Sequence, residues 1–305
     1  MRSNSFRVPD QRMHRIVEDP IGGDFALTAS SRLDRPNEFR ESSNDACPFC
    51  PGNESQTPPP LASIEADDGS WLARAFRNKF PAVAPPDGDH EVIVDAPGHT
   101  QEVTLSGVML WRARFRAALG RYPDAMPVLF KNSGAYAGAT IRHPHTQLIV
   151  LGRPIPRWER MTSHAAEQLE RAGRCVWCAD AFDGDAQDRL VSALASIVAY
   201  VPRHSRFGKV LRFAPRRCTV AFSEANDAEL GDFTTLVRRA VSRLGAVAFN
   251  LFFEGSPHAD PGVWHWHADL VPREGTLAGF ELATGLHISS GTAQESAAFW
   301  RRMTG

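Results

Sequence analysis

Apolar and polar positions along this chain alternate in blocks that read as strands and helices, and the blocks occur twice in the same order. The run Glu91-Val92-Ile93-Val94-Asp95-Ala96-Pro97 is short, apolar and closed by proline, the mark of a buried strand. A helix is predicted from Leu105 to Leu119, then an apolar strand Val128–Asn132, then a strand carrying His143 and His145. The second half repeats this with Lys209–Pro215, a helix over Asp227–Leu244, Val247–Asn250 and His265-Trp266-His267. A Cys-x-x-Cys pair precedes each series, Cys47/Cys50 and Cys175/Cys178. Residues 162–173, with Thr or Ser as cap and a closing glycine, read as a linking helix. Self-similarity of this kind predicts an α+β protein of two duplicated units, 20–160 and 165–302, with antiparallel sheets and long helices packed on them.

With 305 residues, 43% of them hydrophobic and 23% charged, the chain has room for one large or two medium globular domains. A net charge of −1 argues against a nucleic-acid coat or a polybasic membrane surface, so any anionic ligand must be met by local groups. No apolar stretch reaches membrane-spanning length and the polar N-terminus lacks the apolar core of a secretory signal; the expectation is a cytoplasmic protein with reduced thiols. The 22 prolines and 23 glycines fit a sheet-rich chain with many turns. Residues 1–20 and the tail beyond Arg302 are expected to fray. Arg212, Arg216 and Arg217 read as a solvated strand end, and Trp264 and Trp266 as packing residues.

The chemistry concentrates in His143-Pro144-His145-Thr146-Gln147. Proline stiffens the backbone, and residues two apart on a strand face one side, so both imidazoles can serve one locality. The preceding loop from Asn132 to Thr140 holds Gly134 and Gly138, which let backbone N–H groups approach a ligand closely. Thr140 adds a hydroxyl and Gln147 an amide. The combination points to a nucleophilic histidine acting on a phosphate. Cys-x-x-Cys pairs in a reducing compartment suggest metal knuckles or a redox motif. For Cys47 and Cys50, His99 and His143 complete a Cys₂His₂ zinc set. A second metal site could use Cys175, Cys178 and His265, with Cys218 standing where His99 stands in the first unit; the alternative is a packed strand with satisfied imidazoles.

These motifs resemble the galactose-1-phosphate uridylyltransferase family of the histidine-triad superfamily, over roughly residues 25–302. The matching elements include Arg32-x-x-Arg35-Pro36, Cys47-Pro48-Phe49-Cys50-Pro51-Gly52-Asn53-Glu54, Phe76-Arg77-Asn78-Lys79-Phe80-Pro81 and His90-Glu91-Val92-Ile93-Val94. Pro97-x-His99, His143 to Gln147, His265-Trp266-His267 and Gly279-Phe280-Glu281-Leu282 follow in the family's order. The resemblance implies that His145 is the nucleophile forming a covalent nucleotidyl intermediate and that Gln147 bonds the transferred phosphoryl group. It implies nucleotide or phosphate contacts for Arg35, Asn78, Asn132, Gly134 and Thr140, and a hexose contact for Glu281. It also implies zinc on Cys47, Cys50, His99 and His143, and a homodimer. Thr146 departs from the small residue usual there, the sugar-contacting place near the C-terminus falls at about His287, and Glu254 and His258 stay open as second-metal ligands. These departures are read as lying on the acceptor side.

The leading expectation is ping-pong transfer of UMP from a UDP-sugar to a sugar 1-phosphate. A phosphorylase taking phosphate as acceptor, as for ADP-glucose, shares the covalent step. A hydrolase is disfavoured because its small relatives carry a third histidine where Gln147 stands. A zinc-stabilised nucleotide-binding protein without catalysis is the non-enzymatic alternative.

Overall fold

The computed structural model describes residues 15–22, 24–29, 32, 34–39, 47–100, 102–275, 278–289 and 291–304. In chain order the regular elements are β1 (Arg15–Glu18), β2 (Phe25–Thr28), β3 (Pro60–Glu65), β4 (Trp71–Arg77), β5 (Gly88–Val94), α1 (Leu105–Arg121), β6 (Met126–Ser133) and β7 (His145–Leu151). There follow α2 (Pro156–Ala172), α3 (Val176–Phe182), α4 (Ala186–Arg189), β8 (Leu190–Ala193), β9 (Ile197–Tyr200) and β10 (Leu211–Pro215). The chain closes with α5 (Asp227–Leu244), β11 (Phe249–Glu254), β12 (His267–Pro272), α6 (Gly279–Thr284) and α7 (Ala293–Thr304).

Ten strands form one antiparallel sheet in the order β3-β4-β5-β7-β6-β11-β12-β10-β9-β8. Read inward from either edge, the two halves have the same strand order, so the repeat seen in the sequence is a repeat of topology. The halves do not keep separate sheets, because β6 pairs with β11 and places Asn132 opposite Asn250. Joining there gives each strand a hydrogen-bonding partner in place of an open edge.

Helices α1 and α5 lie over the same face of the sheet. The Thr104 hydroxyl accepts from Gly107 N at 3.0 Å to start α1. Asn226 and Glu229 exchange side-chain and backbone bonds at 2.9 Å to start α5. The apolar faces of both helices bury Trp111, Phe115, Phe233 and Val237 against Leu129, Phe213 and Phe253 of the strands and against Trp266, just before β12. Trp264 and Trp266 are fully enclosed, as expected. Among the described residues, no helix is long and apolar enough to cross a membrane.

Several expectations need correction. The linking helix starts at Pro156, whose ring suits a first turn, not at a Thr162 or Ser163 cap; Thr162 instead donates back to Trp158 O at 2.8 Å. Gly173 does close it, with φ of 64°. Residues 15–18, expected to fray, pair with β2, and α7 runs past Arg302 to Thr304; residues 1–14 and 305 lie outside the described residues. Arg212 is no solvated strand end: it is buried in a two-pronged ion pair with Asp269, at 2.7 Å for each prong. Arg216 and Arg217 are exposed.

Candidate active site and metal centres

His145 opens β7, the second strand from the central seam, with only 8% of its surface exposed. Its Nδ1 lies 2.8 Å from the carbonyl oxygen of His143. A carbonyl only accepts, so Nδ1 carries the ring proton and Nε2 keeps its lone pair. Burial pushes the imidazole pKa down to about 4, against a smaller upward pull from that carbonyl. At neutral pH the ring is therefore an uncharged base with one free nitrogen. Phe49 packs edge-on against it at 5.4 Å between centroids and holds its orientation.

His145 and Gln147, two apart on β7, open into one cavity of about 430 Å³ together with Arg35, Asn78, Thr140 and the faces of Phe49 and Phe76. Gln147 is oriented by a residue to which the sequence reading gave no role. Ala82 N donates to His90 Nδ1 at 2.9 Å, so the His90 proton sits on Nε2, which donates to Gln147 Oε1 at 3.1 Å. With its oxygen held from behind, Gln147 directs its amide N–H groups as donors. Asn78 Oδ1 accepts from Phe80 N at 2.8 Å, and its Nδ2 lies 3.2 Å from His90 Nε2, so the same imidazole packs against both amides.

Asn132 and Gly134 do not line this cavity. Asn132 Oδ1 accepts from Asn250 Nδ2 at 2.8 Å across the seam between the halves. Gly134 turns the chain at φ of 83°, and a Cβ there would come within 2.8 Å of Ala248. Its role in the fold is therefore steric. Glu281 lines a different cavity, with Arg206 and His287, and its carboxylate caps the start of α6 through Ala278 N at 3.1 Å.

Thr146 also corrects an expectation. Strand alternation turns it away from the cavity and into the core, so it does not lie on the acceptor side. There its hydroxyl donates to Asp95 Oδ2 at 2.9 Å. Asp95 is wholly buried and also accepts from Lys131 Nζ at 3.0 Å and Trp111 Nε1 at 2.6 Å. Burial holds its carboxyl above the ordinary range, with Lys131 as the main opposing influence. This network lies beneath the strand that carries His145, and sequence spacing offered no signal for it.

The residues expected to hold a metal do meet. Cys47, Cys50, His99 and His143 bring one donor atom each within 4.8 Å of the others. His143 Nε2 donates to Ala96 O at 2.8 Å, which leaves Nδ1 unprotonated and facing both sulfurs at 3.7 Å. Cys50 Sγ lies 3.1 Å from His99 Nε2. Burial pushes the Cys47 thiol up to about 11, a penalty that a cation between the sulfurs removes. Two thiols and two imidazoles suit a tetrahedral borderline-soft ion. In the second half, Cys175, Cys178, Cys218 and His265 form a matching group, and the weakly signalled Cys218 is part of it. Glu254 and His258 are not: Glu254 is ion-paired to Arg157 and Arg206, and His258 donates to Ala125 O at 2.9 Å.

No protein-family model matches the chain. ADP-glucose phosphorylase of Arabidopsis thaliana is 21% identical over 314 residues, covering 90% of this chain and 88% of that protein. Galactose-1-phosphate uridylyltransferase of Streptomyces lividans is 24% identical over 265 residues, covering 83% and 69%. The crystal structure of the Arabidopsis thaliana ADP-glucose phosphorylase with bound ADP-glucose superposes with a TM-score of 0.77 at 20% identity, over 95% of this chain and 98% of that one. In sequence and fold the chain is similar to these galactose-1-phosphate uridylyltransferase-like enzymes.

Proposed function

We propose that the protein transfers a nucleoside monophosphate from a nucleotide sugar, through a covalent adduct on His145, to a sugar 1-phosphate. The observation that carries this reading is the uncharged, tautomer-fixed His145, with its free Nε2 at a cavity that also receives the Gln147 amide and Arg35. In the first step Nε2 attacks the α-phosphorus, the N–P bond forms, and the bond from that phosphorus to the bridging oxygen breaks. The sugar 1-phosphate leaves with the bond's electron pair. The imidazole becomes cationic, and its Nδ1–H to His143 O holds the developing charge in place. Gln147 and Arg35 supply donors to the phosphoryl oxygens. In the second step the acceptor's phosphate oxygen attacks the same phosphorus and the N–P bond breaks, which restores neutral His145. The base is UMP's uracil on the leading reading.

On this reading residues 20–160 form the unit that carries the chemistry and 165–302 its duplicate. Zinc fits Cys47, Cys50, His99 and His143, and would lock the β-strand entry at His143 without touching substrate; a second would take Cys175, Cys178, Cys218 and His265. Zinc analysis of the purified protein should find about two ions per chain, falling by one in Cys47→Ser with the other retained. Unchanged zinc content in that variant would refute the first ligand set. Glu281 lines a cavity other than that of His145, so a hexose contact from it requires a second copy of the chain, which makes the homodimer part of the proposal.

A second reading keeps the adduct and takes orthophosphate as acceptor. It is favoured by the extent of the match to ADP-glucose phosphorylase, which spans nearly the whole of both chains. One experiment separates the two. The protein is mixed with UDP-glucose or ADP-glucose, the adduct is read by intact mass, and it is chased with galactose 1-phosphate or with orthophosphate. A UMP adduct discharged by the sugar phosphate supports the first reading; an AMP adduct discharged by orthophosphate supports the second. No adduct with either donor counts against both.

A further inference from the structure

We propose that the C-terminal half holds a second ligand site, which binds a phosphorylated small molecule of nucleotide size and does not transfer its phosphorus. The site is a cavity of about 440 Å³ between β10, β12 and the loop after β9, matched in size to the cavity of His145. The two cavities occupy corresponding places. Phe49 and Trp177 are each the third residue of a Cys-x-x-Cys pair, and each packs on the second histidine of a His-x-His, at 5.4 Å from His145 and 4.7 Å from His267. His267 Nδ1 donates to His265 O at 3.0 Å, as His145 Nδ1 does to His143 O. Across the strand pairs, Arg212 faces Asp269 where Val92 faces Gln147.

The differences say what this site does. Asp269, held by Arg212, stands where Gln147 offers amide donors, and a carboxylate there repels phosphoryl oxygens. His267 is 1% exposed, with a ring nitrogen within 4.8 Å of carboxylate oxygens of both Glu254 and Asp269. Nucleophilic attack on a phosphate is thereby disfavoured. Anion recognition has moved outward. Arg157 Nη1 and Arg206 Nη2 both donate to a single oxygen, Glu254 Oε1, at 2.7 and 2.8 Å. Two guanidinium charges thus face one carboxylate, and each has further N–H donors. The other acid on this wall, Asp180, is taken up by Arg189 at 3.1 Å. The surplus positive charge at a partly desolvated rim suits a phosphate monoester. Trp177 Nε1 is buried and has no hydrogen-bond partner among the described residues, although its indole lines the cavity. With Phe207 it offers aromatic surface to a ring attached to that phosphate.

AMP and orthophosphate are the probes. In equilibrium dialysis, Arg206→Gln and Arg157→Gln should each bind one AMP fewer per chain than the wild type, with affinity at that site at least about tenfold weaker. Adduct formation at His145 in Arg157→Gln, and the thermal melt of both variants, should stay as in the wild type, which separates this site from the first and from misfolding. Photolabelling of the wild type with 8-azido-AMP should mark the peptide carrying Trp177 or Phe207, and orthophosphate should compete for that label. AMP binding equal to wild type in both variants, or label confined to peptides around His145, would overturn the proposal.

Discussion

A His145→Ala protein should form no nucleotidyl adduct, and its turnover should fall by about 10⁴-fold or more. On the proposed mechanism the loss is large because the substitution removes the atom that would bond to phosphorus, leaving only the positioning proposed for Gln147 and Arg35. Folding should be unaffected, since the ring borders a cavity and its one hydrogen bond goes to a backbone carbonyl. The same residue sets a pH dependence. Its pKa is lowered to about 4, so the nucleophilic neutral form persists on acidification well below the point where a free imidazole protonates. At pH 6 an ordinary histidine would be about three-quarters protonated. Adduct formation by the wild type should therefore be nearly flat from pH 8 to pH 6, measured by intact mass after short mixing times. An acid limb centred near pH 6.5, or an adduct surviving in His145→Ala, would refute the assignment of this nucleophile and its environment.

Features with a local cause were legible in the sequence. The helix expected over Asp227–Leu244 has the same bounds in the structure, where Asn226 and Glu229 cap its start. Proline between His143 and His145 and the two Cys-x-x-Cys pairs are local as well, and the repeat between halves foreshadows the matching strand orders. Features created by long-range pairing were not legible. Asp95 meets Lys131 and Thr146, 36 and 51 positions away, and neither spacing carries a period. His90 reaches Gln147 across 57 positions because β5 and β7 are neighbours in the sheet. Arg212 looked solvated because charged residues usually are, and only the pairing of β10 with β12 reveals Asp269 opposite. Merging of two sheets into one depends on β6 finding β11, which no segment encodes alone. For the site, the sequence singled out Arg35, Asn78, Thr140, His145 and Gln147, and these share one cavity. Asn132 and Gly134, singled out with them, do not line it and stand at the seam between the halves.

Lys131→Met should lower the free energy of unfolding by roughly 3–5 kcal/mol, the effect expected when one partner of a buried ion pair is removed. Lys131 is 1% exposed and Asp95 is fully enclosed, so water cannot replace the lost ammonium. Trp111 and Thr146 would remain as neutral donors to a carboxylate whose pKa is already raised by burial. The sign of the pH dependence follows. A carboxyl group with a folded-state pKa above its unfolded value holds its proton longer in the folded state, so stability falls as pH rises from the unfolded value towards the folded one. Without Lys131 the folded-state pKa moves further up, and the deficit relative to wild type should be smaller at pH 5 than at pH 8. Urea unfolding at the two pH values measures this directly. Pairing the change with Asp95→Asn should recover much of the lost stability, because the double variant buries no unpaired charge. A deficit independent of pH, or no recovery in the double variant, would mean that the cost comes from how the substituted thioether packs where the ammonium stood, and that the Asp95–Lys131 pair does not tie the nucleophile strand to the core.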